Sequence, residues 1–332
     1  MRLIRNIIFL LVILLLVYIL GPHPSRPKYD SNLPSVPANS NILQQYVAAK
    51  ESAHKLKPDN EARIVWANDS LKQKTEYAIV YLHGFSASQE EGNPVHRNIA
   101  KQFGCNLYLS RLAEHGIDTT DALINFTADK LWESAKEAYA IGKQLGNKVI
   151  LMGTSTGATE ALQLAATYPD VAGLILLSPN IAINDPNAWL LNNHWGLQIA
   201  GLVKQSKFNT IPNASPAYKQ YWNDKYRLEA TVALQELLET TMNENTFVKI
   251  KQPALVLYYY KDEKNQDKVV KISAIKEMFD HLGTDIAKKK MVAIPNAGDH
   301  VLGSPIVSHD IKTPQNEIAS FLISIMQLQP IK

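Results

Sequence analysis

The stretch "KVILMGTSTGATEALQLAATYPD", residues 148–170, decides the fold of this chain of 332 residues. An apolar run ends at Gly153, and an alanine-rich amphipathic run begins just after Gly157. The first run is typical of a buried strand and the second of a helix. Between them the sequence leaves room only for a sharp turn, with Ser155 at its centre. The stretch therefore predicts a strand, a tight turn and a helix in immediate succession.

The same alternation continues on both sides of this unit. Apolar runs such as "YAIVYL", "VAGLILLSP" and "PALVLYYY" alternate with amphipathic runs such as "SAIKEMFDHLG" and "DKLWESAKEAYAIGKQLG", whose last residue, Gly146, is expected to cap a helix. Strands that are apolar throughout are buried on both faces, which requires a mainly parallel sheet with helices on both sides. The sequence predicts an α/β domain of this kind over residues 41–332.

Residues 185–252 interrupt this alternation. The segment contains Trp189, Trp195 and Trp222 but no convincing strand. We expect a helical insertion that lies over the top of the sheet as a lid. Its aromatic side chains either line an apolar pocket or pack the lid helices on one another.

The N-terminal segment is of a different kind. An uninterrupted apolar run follows Arg2 and Arg5 and ends in "YILGPHPS", without the small residues of a signal-peptide cleavage site. We therefore expect residues 1–20 to be an uncleaved membrane anchor, and the two arginines predict that the domain is extracytoplasmic, either periplasmic or extracellular. The alternative is a protein secreted after signal cleavage. Five prolines in residues 21–40 predict an extended linker between anchor and domain.

Composition excludes several classes of function. The net charge is +3, which is too small to indicate nucleic-acid binding. A single cysteine, Cys105, excludes an intramolecular disulfide and argues against a thiol-based zinc site. The sequence contains no glycine-rich dinucleotide loop and no cluster of metal-ligand residues, so we expect neither a cofactor nor a metal. It leaves the oligomeric state open.

The turn at Ser155 carries the strongest chemical signal. A serine hydroxyl is a poor nucleophile until a base removes its proton and a turn exposes its oxygen. The pattern G-x-S-x-G between a strand and a helix supplies the turn, because Gly153 and Gly157 let strand and helix pass without Cβ clashes. Ser155 is therefore the predicted nucleophile. The alternative is an ordinary turn with a solvated serine.

Two backbone N–H groups are candidates for stabilising the oxyanion that forms when a carbonyl is attacked. One belongs to Thr156, directly after the nucleophile, where the positive end of the helix dipole adds to its effect. The other belongs to Phe85 in "YAIVYLHGFSAS", directly after a central strand, where Gly84 allows a close approach of the backbone.

Four segments resemble the α/β-hydrolase superfamily, and within it the esterase and monoacylglycerol-lipase-like or lysophospholipase-like group: "HGFSAS", "RLAEHGID", "GTSTG" and "PNAGDHV". They span roughly residues 75–310, most of the chain. The resemblance implies an α/β-hydrolase fold with a lid, and a catalytic triad in the chain order serine, acid, histidine. In "RLAEHGID", Glu114 stands where that group commonly has glycine, and we assign that loop no function.

This chain order limits the choice of base. The loop after the last predicted strand, "MVAIPNAGDHVLGSP", contains His300, whose imidazole can take the serine proton and return it to the leaving group. His309 also lies late in the chain, but no strand directly precedes it. His83 precedes the serine, so we expect it beside the site and not as the base.

The acid should follow the strand "PALVLYYY". Asp262 follows that strand immediately, and Asp267 lies five residues further on. The usual register of the group is an aspartate, two residues and then an apolar residue, which Asp267 and Val270 reproduce. We predict Asp267, with Asp262 open as the alternative and Glu263 as a more remote one.

Together these signals predict a serine hydrolase that cleaves carboxylic esters through an acyl-enzyme, with ester rather than amide specificity taken from the resemblance alone. The substrate would be a small-molecule or lipid ester. A second hypothesis is hydrolysis of monoacylglycerol, lysophospholipid or another lipid at the membrane surface. A third, from another class, is a non-catalytic binding protein that kept the fold.

Overall fold

The computed structural model describes residues 1–331. The strands in this part of the chain are β1 (Arg63–Val65), β2 (Thr75–Leu82), β3 (Asn106–Leu109), β4 (Gly146–Thr154), β5 (Val171–Leu177), β6 (Phe208–Thr210), β7 (Lys225–Arg227), β8 (Ala254–Tyr258) and β9 (Lys289–Ala293). The helices are α1 (Arg2–Ile19), α2 (Ser40–Ser52), α3 (Val95–Gln102), α4 (Ala128–Leu145), α5 (Thr156–Thr167), α6 (Gly196–Lys204), α7 (Pro216–Tyr221), α8 (Leu228–Thr241), α9 (Glu244–Phe247), α10 (Ile272–His281) and α11 (Lys312–Ser324).

Within residues 1–331, seven of the strands form one sheet in the order β1-β3-β2-β4-β5-β8-β9. β1 runs antiparallel to β3, and the other neighbouring pairs are parallel. The predicted, mainly parallel sheet is therefore confirmed. β2 and β4 pair from Thr75 opposite Gly146 to Leu82 opposite Gly153. Their carboxyl ends are thus adjacent, and the loops that leave them meet at the same edge of the sheet.

Alternate residues of the central strands enter two separate cores, one on each face of the sheet. In β2, Ala78 and Val80 pack on the side of α4 and α5, whereas Ile79 and Tyr81 pack on the side of α3 and α11. All four side chains are fully buried. Because helices cover both faces, the strands are apolar throughout, and this explains the continuous apolar runs in the sequence.

Gly146 follows α4 at the predicted place, but for a different reason from the one expected. Its φ of −144° is extended, so it is not a left-handed helix cap, and it is already the first residue of β4. A Cβ on Gly146 would lie 2.5 Å from the backbone nitrogen of Ala78. Glycine is required there because β2 and β4 approach closely.

The predicted linker, residues 21–40, does not run free of the domain along its whole length. The Trp132 side-chain N–H donates to the carbonyl of Asp30 at 2.7 Å, and the Tyr168 hydroxyl donates to the carbonyl of Ser31 at 2.8 Å. Leu33 and Val36 pack against the core. An extended chain leaves its carbonyl groups unpaired, so side chains fixed on neighbouring helices can hold it in place.

The insertion over residues 185–252 contains α6, α7, α8 and α9, as the prediction of a helical lid requires. The expectation that it holds no strand is wrong, because β6 and β7 pair antiparallel with Phe208 opposite Arg227. Each of these strands has three residues, too few to give an alternation that can be recognised in the sequence.

Helix α1 has no buried residue. Within residues 1–331 it is the one helix long and apolar enough to cross a membrane, by length and composition. Its carboxyl end contacts the lid, where the Trp195 ring N–H donates to the Val17 carbonyl at 3.0 Å and the Trp195 backbone N–H donates to the Pro22 carbonyl at 2.8 Å. The end of α1 and the start of α6 are therefore adjacent.

Candidate active site

Ser155 occupies a strained turn between β4 and α5. Its φ of 53° and ψ of −119° lie in a region that residues with a Cβ rarely adopt. A Cβ on Gly157 would lie 2.0 Å from the Leu82 carbonyl oxygen, and one on Gly153 would lie 2.5 Å from the Gly157 carbonyl. Both glycines of the G-x-S-x-G pattern are thus required by close backbone contacts.

Neighbouring segments hold this turn through its main chain. The Ser155 N–H donates to the carbonyl of Leu177, the last residue of β5, at 2.9 Å. The Ser155 carbonyl accepts the N–H groups of Ala158 at 3.0 Å and of Asn180 at 3.1 Å. The strained conformation is therefore held by β5, by α5 and by the loop after β5. These bonds fix the direction of the Cα–Cβ bond of Ser155.

Asp267 and His300 come together from two different loops. Asp267 Oδ2 lies 2.6 Å from His300 Nδ1, and Asp267 is only 1 % exposed. The other carboxylate oxygen, Oδ1, accepts the N–H groups of Val269 at 2.8 Å and of Val270 at 3.1 Å. The loop therefore fixes the carboxylate, and the carboxylate fixes the orientation of the imidazole ring.

The surroundings of His300 make its ring more basic. Burial alone would lower the pKa of the imidazole, but the charge and hydrogen bond of Asp267, followed by the charges of Glu91 and Asp299, leave the pKa above its usual value. The second ring nitrogen, Nε2, is buried and has no hydrogen-bond partner among residues 1–331. With Nδ1 committed to Asp267, Nε2 is the atom that can take up and release a proton.

The other candidates for acid and base lie elsewhere. The exposed Asp262 folds back on its own loop, where its carboxylate accepts both N–H groups of Asn265. Glu263 accepts a hydrogen bond from the Tyr260 hydroxyl. His309 is a neighbour of Gly298 and is bonded through its backbone to Ala297. The structure thus brings Asp267, and neither of the two alternative acids, to His300.

The two predicted oxyanion donors flank Ser155. Thr156 is the first residue of α5, and Phe85 lies in the loop that follows β2. This loop approaches the serine so closely that a Cβ on Gly84 would lie 3.0 Å from Ser155 Cβ. In residues 1–331 the N–H groups of Phe85 and Thr156 take part in no other hydrogen bond. Both are therefore free to bind an oxygen next to Ser155.

His83 supports the loop and does not face the reacting groups. Its Nε2 accepts the Leu112 N–H at 3.0 Å, so the proton lies on Nδ1, which donates to the Gly84 carbonyl at 2.9 Å. Burial, followed by the nearby His115 and Arg111, lowers the pKa of His83 well below its usual value. His83 therefore remains neutral, in agreement with its expected place beside the site.

Ser155 and His300 open into one cavity of about 890 Å³ between the sheet and the lid. Most of its lining is aliphatic or aromatic, and most of that comes from the lid and the loops beside it: Phe85, Ile183, Ala188, Leu190, Leu191, Ile199, Ala200, Val203, Ile211, Tyr218, Trp222, Tyr226, Leu228, Leu234, Val269, Val301 and Val307. Of the lid tryptophans, Trp222 lines the cavity, whereas Trp189 is exposed and Trp195 contacts α1. Such a cavity suits an apolar ligand with one polar group at the serine.

Two residues at the site were not predicted. Asn180 holds the Ser155 carbonyl, and the buried Glu91 lies against Gly84 and lines the cavity. The sequence alone does not distinguish Glu91 from Glu90, which precedes it and has the same side chain. In residues 1–331 no group of three or more His, Cys, Asp or Glu side chains is arranged to hold a metal ion.

The profile of one protein family, described as serine aminopeptidase, S33, matches residues 128–301. This range is slightly more than half of the chain and extends from the start of α4 to just beyond His300. The chain belongs to this family. The S33 serine aminopeptidases are α/β-hydrolases, so the resemblance and the fold predicted from the sequence are confirmed, and the protein is a member of a hydrolase family.

Solved structures show the same fold in lipases and esterases. A structure reported for the metagenome-derived lipolytic enzymes LipS and LipT shares 15% sequence identity with this S33-family chain and has a TM-score of 0.61. The match covers 81% of this chain and 99% of the other. The monoacylglycerol lipase of Paleococcus ferrophilus is 15% identical with a TM-score of 0.56, over 80% and 99%. Est1E of Butyrivibrio proteoclasticus, with ferulic acid bound, is 17% identical with a TM-score of 0.53, over 80% and 95%. At these identities the likeness is one of fold. A search of curated proteins found no match.

Proposed function

We propose that this protein is a serine hydrolase that cleaves carboxylic esters through an acyl-enzyme, with Ser155, Asp267 and His300 as its catalytic triad. The observation that carries the proposal is the 2.6 Å contact between Asp267 and His300 beside the strained turn of Ser155, with both Ser155 and His300 lining one cavity. A nucleophile on a strained turn and a base oriented by a buried carboxylate are what nucleophilic catalysis by serine requires.

In the first half of the proposed reaction, Ser155 Oγ attacks the ester carbonyl carbon while His300 Nε2 takes its proton. The N–H groups of Phe85 and Thr156 stabilise the negative oxygen that forms. Asp267 stabilises the imidazolium. The C–O bond to the alcohol then breaks, and His300 returns the proton to the departing alcohol, which leaves the acyl group on Ser155.

In the second half, a water molecule attacks the acyl carbon and His300 Nε2 takes one of its protons. The same two N–H groups stabilise the second oxyanion. The bond between the acyl carbon and Ser155 Oγ breaks, Oγ regains a proton from His300, and the carboxylic acid leaves. The raised pKa of His300, caused by Asp267 and then by Glu91 and Asp299 against the opposing effect of burial, favours its service as base in both halves.

The nature of the cavity supports an ester with an apolar acyl or alkyl group. The walls contributed by α6 and α8 are mainly aliphatic, and a volume of about 890 Å³ is in the range of cavities that enclose small organic ligands. The solved structures of similar fold that carry the names of lipases and an esterase agree with this choice. The family description names an aminopeptidase, so amide cleavage is the alternative that a substrate panel must include.

The proposal is tested with the full-length chain in detergent micelles, with p-nitrophenyl butyrate as ester and an aminoacyl p-nitroanilide as amide. We expect ester hydrolysis that falls by at least about 10⁴-fold in Ser155→Ala, because no other group can form the acyl-enzyme. Ser324→Ala, at the end of α11 and outside the cavity, is the matched control and retains full activity. Unchanged ester hydrolysis in Ser155→Ala refutes the proposal, and cleavage of the anilide alone would replace ester by amide specificity. If the wild type hydrolyses neither the ester nor the anilide, the result favours a binding protein.

We further propose that the physiological ester is a lipid taken from a membrane, such as a monoacylglycerol or a lysophospholipid. Two observations favour this. Val203 of α6 lines the cavity and is also 77% exposed, and its neighbour Leu202 is 78% exposed. The start of α6 is bonded to the end of α1 through Trp195. If α1 anchors the chain, these apolar side chains lie at the membrane surface, next to the entrance of the cavity.

For this second proposal, hydrolysis of micellar monoacylglycerol is compared with that of p-nitrophenyl acetate, which has almost no apolar chain. We expect monoacylglycerol to have the higher kcat/KM, by at least about tenfold, because acyl-chain burial in the cavity favours its transition state. A higher kcat/KM for the acetate would restrict the function to small soluble esters, without affecting the triad.

We propose that α1 is retained as an anchor and that the hydrolase domain is extracytoplasmic, since Arg2 and Arg5 precede the apolar run. An alkaline phosphatase fused to the C-terminus of the full chain is active only outside the cytoplasm. We expect the fusion to be active and membrane-bound, and mass spectrometry to detect its intact N-terminal peptide. An inactive fusion would reverse the orientation, and an active fusion in the soluble fraction would indicate a cleaved signal.

A further inference from the structure

A second buried carboxylate lies next to Ser155, in the turn Gln89–Gly92. Glu91 is only 2 % exposed, and its Oε2 accepts the N–H of Gly84 at 2.5 Å. Both of its carboxylate oxygens lie 2.9 Å from the point that a Gly84 Cβ would occupy, and Ser155 Cβ lies 3.0 Å from the same point. The carboxylate of Glu91 and the side chain of Ser155 are thus packed against one face of Gly84.

Glu91 and His83 together fix the two peptide groups on either side of Gly84. Glu91 accepts the Gly84 N–H, and His83 Nδ1 donates to the Gly84 carbonyl at 2.9 Å. In a planar trans peptide, this carbonyl and the N–H of Phe85 point in opposite directions. Holding both ends of Gly84 therefore sets the direction of the Phe85 N–H, which is the proposed oxyanion donor.

The turn that carries Glu91 also contacts the loop that carries His300. A Cβ on Gly303 would lie 2.9 Å from the Glu91 carbonyl oxygen and 2.8 Å from Gly92 Cα. The short turn Gln89–Gly92 is therefore packed between the oxyanion loop and the loop of the base. A substitution of Glu91 can therefore affect the oxyanion loop and the loop that carries His300.

The charge of Glu91 also acts on His300, after the larger effect of Asp267. Burial raises the pKa of Glu91 to about 7, and Asp299 adds to this, whereas the Gly84 N–H, His300 and Trp222 act in the opposite direction. The remaining titratable groups that sense its charge are Tyr81 of β2 and Tyr218 of the lid. Of these neighbours, His300 is the one that gains a positive charge during the proposed reaction. Above pH 7, where Glu91 is ionised, its carboxylate therefore stabilises that charge.

We propose that Glu91 is a positioning residue for the oxyanion loop, which it holds through the Gly84 N–H, and that its negative charge stabilises the protonated form of His300. This inference rests on the proposed function. Glu91 thus has two roles: it sets the direction of the Phe85 N–H, and its charge stabilises the imidazolium. A single substitution cannot distinguish them.

Glu91→Gln and Glu91→Ala separate the two effects. Glutamine keeps an oxygen for the Gly84 N–H but removes the charge, so the pKa of His300 falls. The acid limb of the kcat/KM profile, which reports this pKa in the free enzyme, should then move to lower pH by about half a unit or more. Alanine removes the acceptor as well, and we expect a loss of about 10²-fold in kcat, comparable to removal of an oxyanion donor, with KM within about threefold. Glutamine should recover most of that loss.

Glu90 supplies the matched control, because it lies in the same turn but is only half-buried and accepts a hydrogen bond from Asn93 instead. We expect Glu90→Gln and Glu90→Ala to keep the wild-type kcat and pH profile. Thermal melts of the four variants show whether each is folded. If Glu91→Ala does not fold, the pH profile of Glu91→Gln still tests the effect of the charge.

An acid limb that stays in place in Glu91→Gln, together with a kcat of Glu91→Ala equal to that of Glu90→Ala, overturns the inference. A lower kcat in both Glu91 variants without a shift of the limb leaves only a structural role and also overturns it. Ser155→Ala in the same assay distinguishes this failure from failure of the proposed function, since full activity there removes the serine mechanism itself.

Discussion

Around Ser155 the backbones of three segments approach so closely that only glycine fits. In the lid that covers Ser155, the first residue of α6, Gly196, also meets backbone at 2.1 Å, but the middle of the same helix has open space beside Gly201. A Cβ on Gly157 would lie 2.0 Å from the Leu82 carbonyl, but one on Gly201 of α6 would have the Ser206 carbonyl, at 4.0 Å, as its nearest neighbour. The reacting groups thus stand on a framework fixed by main-chain contacts. Much of the cavity that would select the substrate is lined by side chains of the lid helices α6 and α8, which can change without disturbing that framework.

The largest effect on activity is expected from removing one fixed group at the carboxyl end of the sheet. Asp267→Asn should lower kcat by about 10⁴-fold, because an amide can hold His300 in the wrong tautomer and no longer balances the imidazolium. Asp262→Asn is the control in the same loop and should change kcat by less than about twofold. Ester hydrolysis with p-nitrophenyl butyrate measures both. Equal effects of the two substitutions would show that Asp267 is not the acid of the triad.

The next largest effect is expected in stability. Gly157→Ala forces a Cβ against the backbone of β2, where nothing can move aside, and should cost about 3 kcal/mol or more. Gly201→Ala adds the same methyl group in open space within a helix and should stabilise by about 0.5–1 kcal/mol. Thermal melts of the two variants against the wild type provide the measurement. A Gly157→Ala protein that melts like the wild type would contradict the account of a rigid framework.

A third prediction concerns the lid alone. Leu202→Asp places a charge on the exposed face of α6, and hydrolysis of micellar monoacylglycerol should fall by about tenfold, because the side chain no longer enters the lipid surface. Hydrolysis of p-nitrophenyl acetate should stay within about twofold. Leu71→Asp, which makes the same change at another exposed leucine away from the cavity, should alter neither rate. A parallel loss on both substrates would mean that the lid also shapes the reacting groups.

The smallest effect is a shift in pH dependence. Asp299 contributes less than Asp267 or Glu91 to the raised pKa of His300. Asp299→Asn retains an oxygen for the Val301 N–H but removes the charge, so the pKa of His300 falls and the acid limb of kcat/KM moves to lower pH, by less than in Glu91→Gln. Asp280→Asn, on α10, should leave the limb in place. A shift to higher pH after Asp299→Asn would have the wrong sign for a base stabilised by this carboxylate.

The sequence was most informative where local pattern and backbone geometry coincide. Strand, turn and helix at residues 148–170 follow from apolar runs and from two glycines, and the parallel sheet follows from the repetition of such units. The choice between Asp262 and Asp267 could not be made in this way. It depends on the path of one loop, in which Asp262 bonds to Asn265 while Asp267 turns towards His300.

Other features depend on packing between segments that are distant in the chain, and local patterns do not contain them. Residues of the predicted linker lie on α4 and α5 because Trp132 and Tyr168 donate to their carbonyls. Glu91 and Glu90 are identical in type, and only the direction of a four-residue turn buries the former against Gly84. The roles of Ser155, Asp267, His300, Phe85 and Thr156 in catalysis stay predictions until the variants are measured.

We propose Ser155 as a nucleophile that His300 and Asp267 activate. The most direct measurement is reaction of the full-length chain with a fluorophosphonate probe, followed by mass spectrometry of its peptides. We predict one adduct, on Ser155, that forms about 10³-fold or more slowly in Asp267→Asn and at the wild-type rate in Asp262→Asn. A folded protein that forms no adduct at Ser155, or forms it equally fast in Asp267→Asn, would contradict the account.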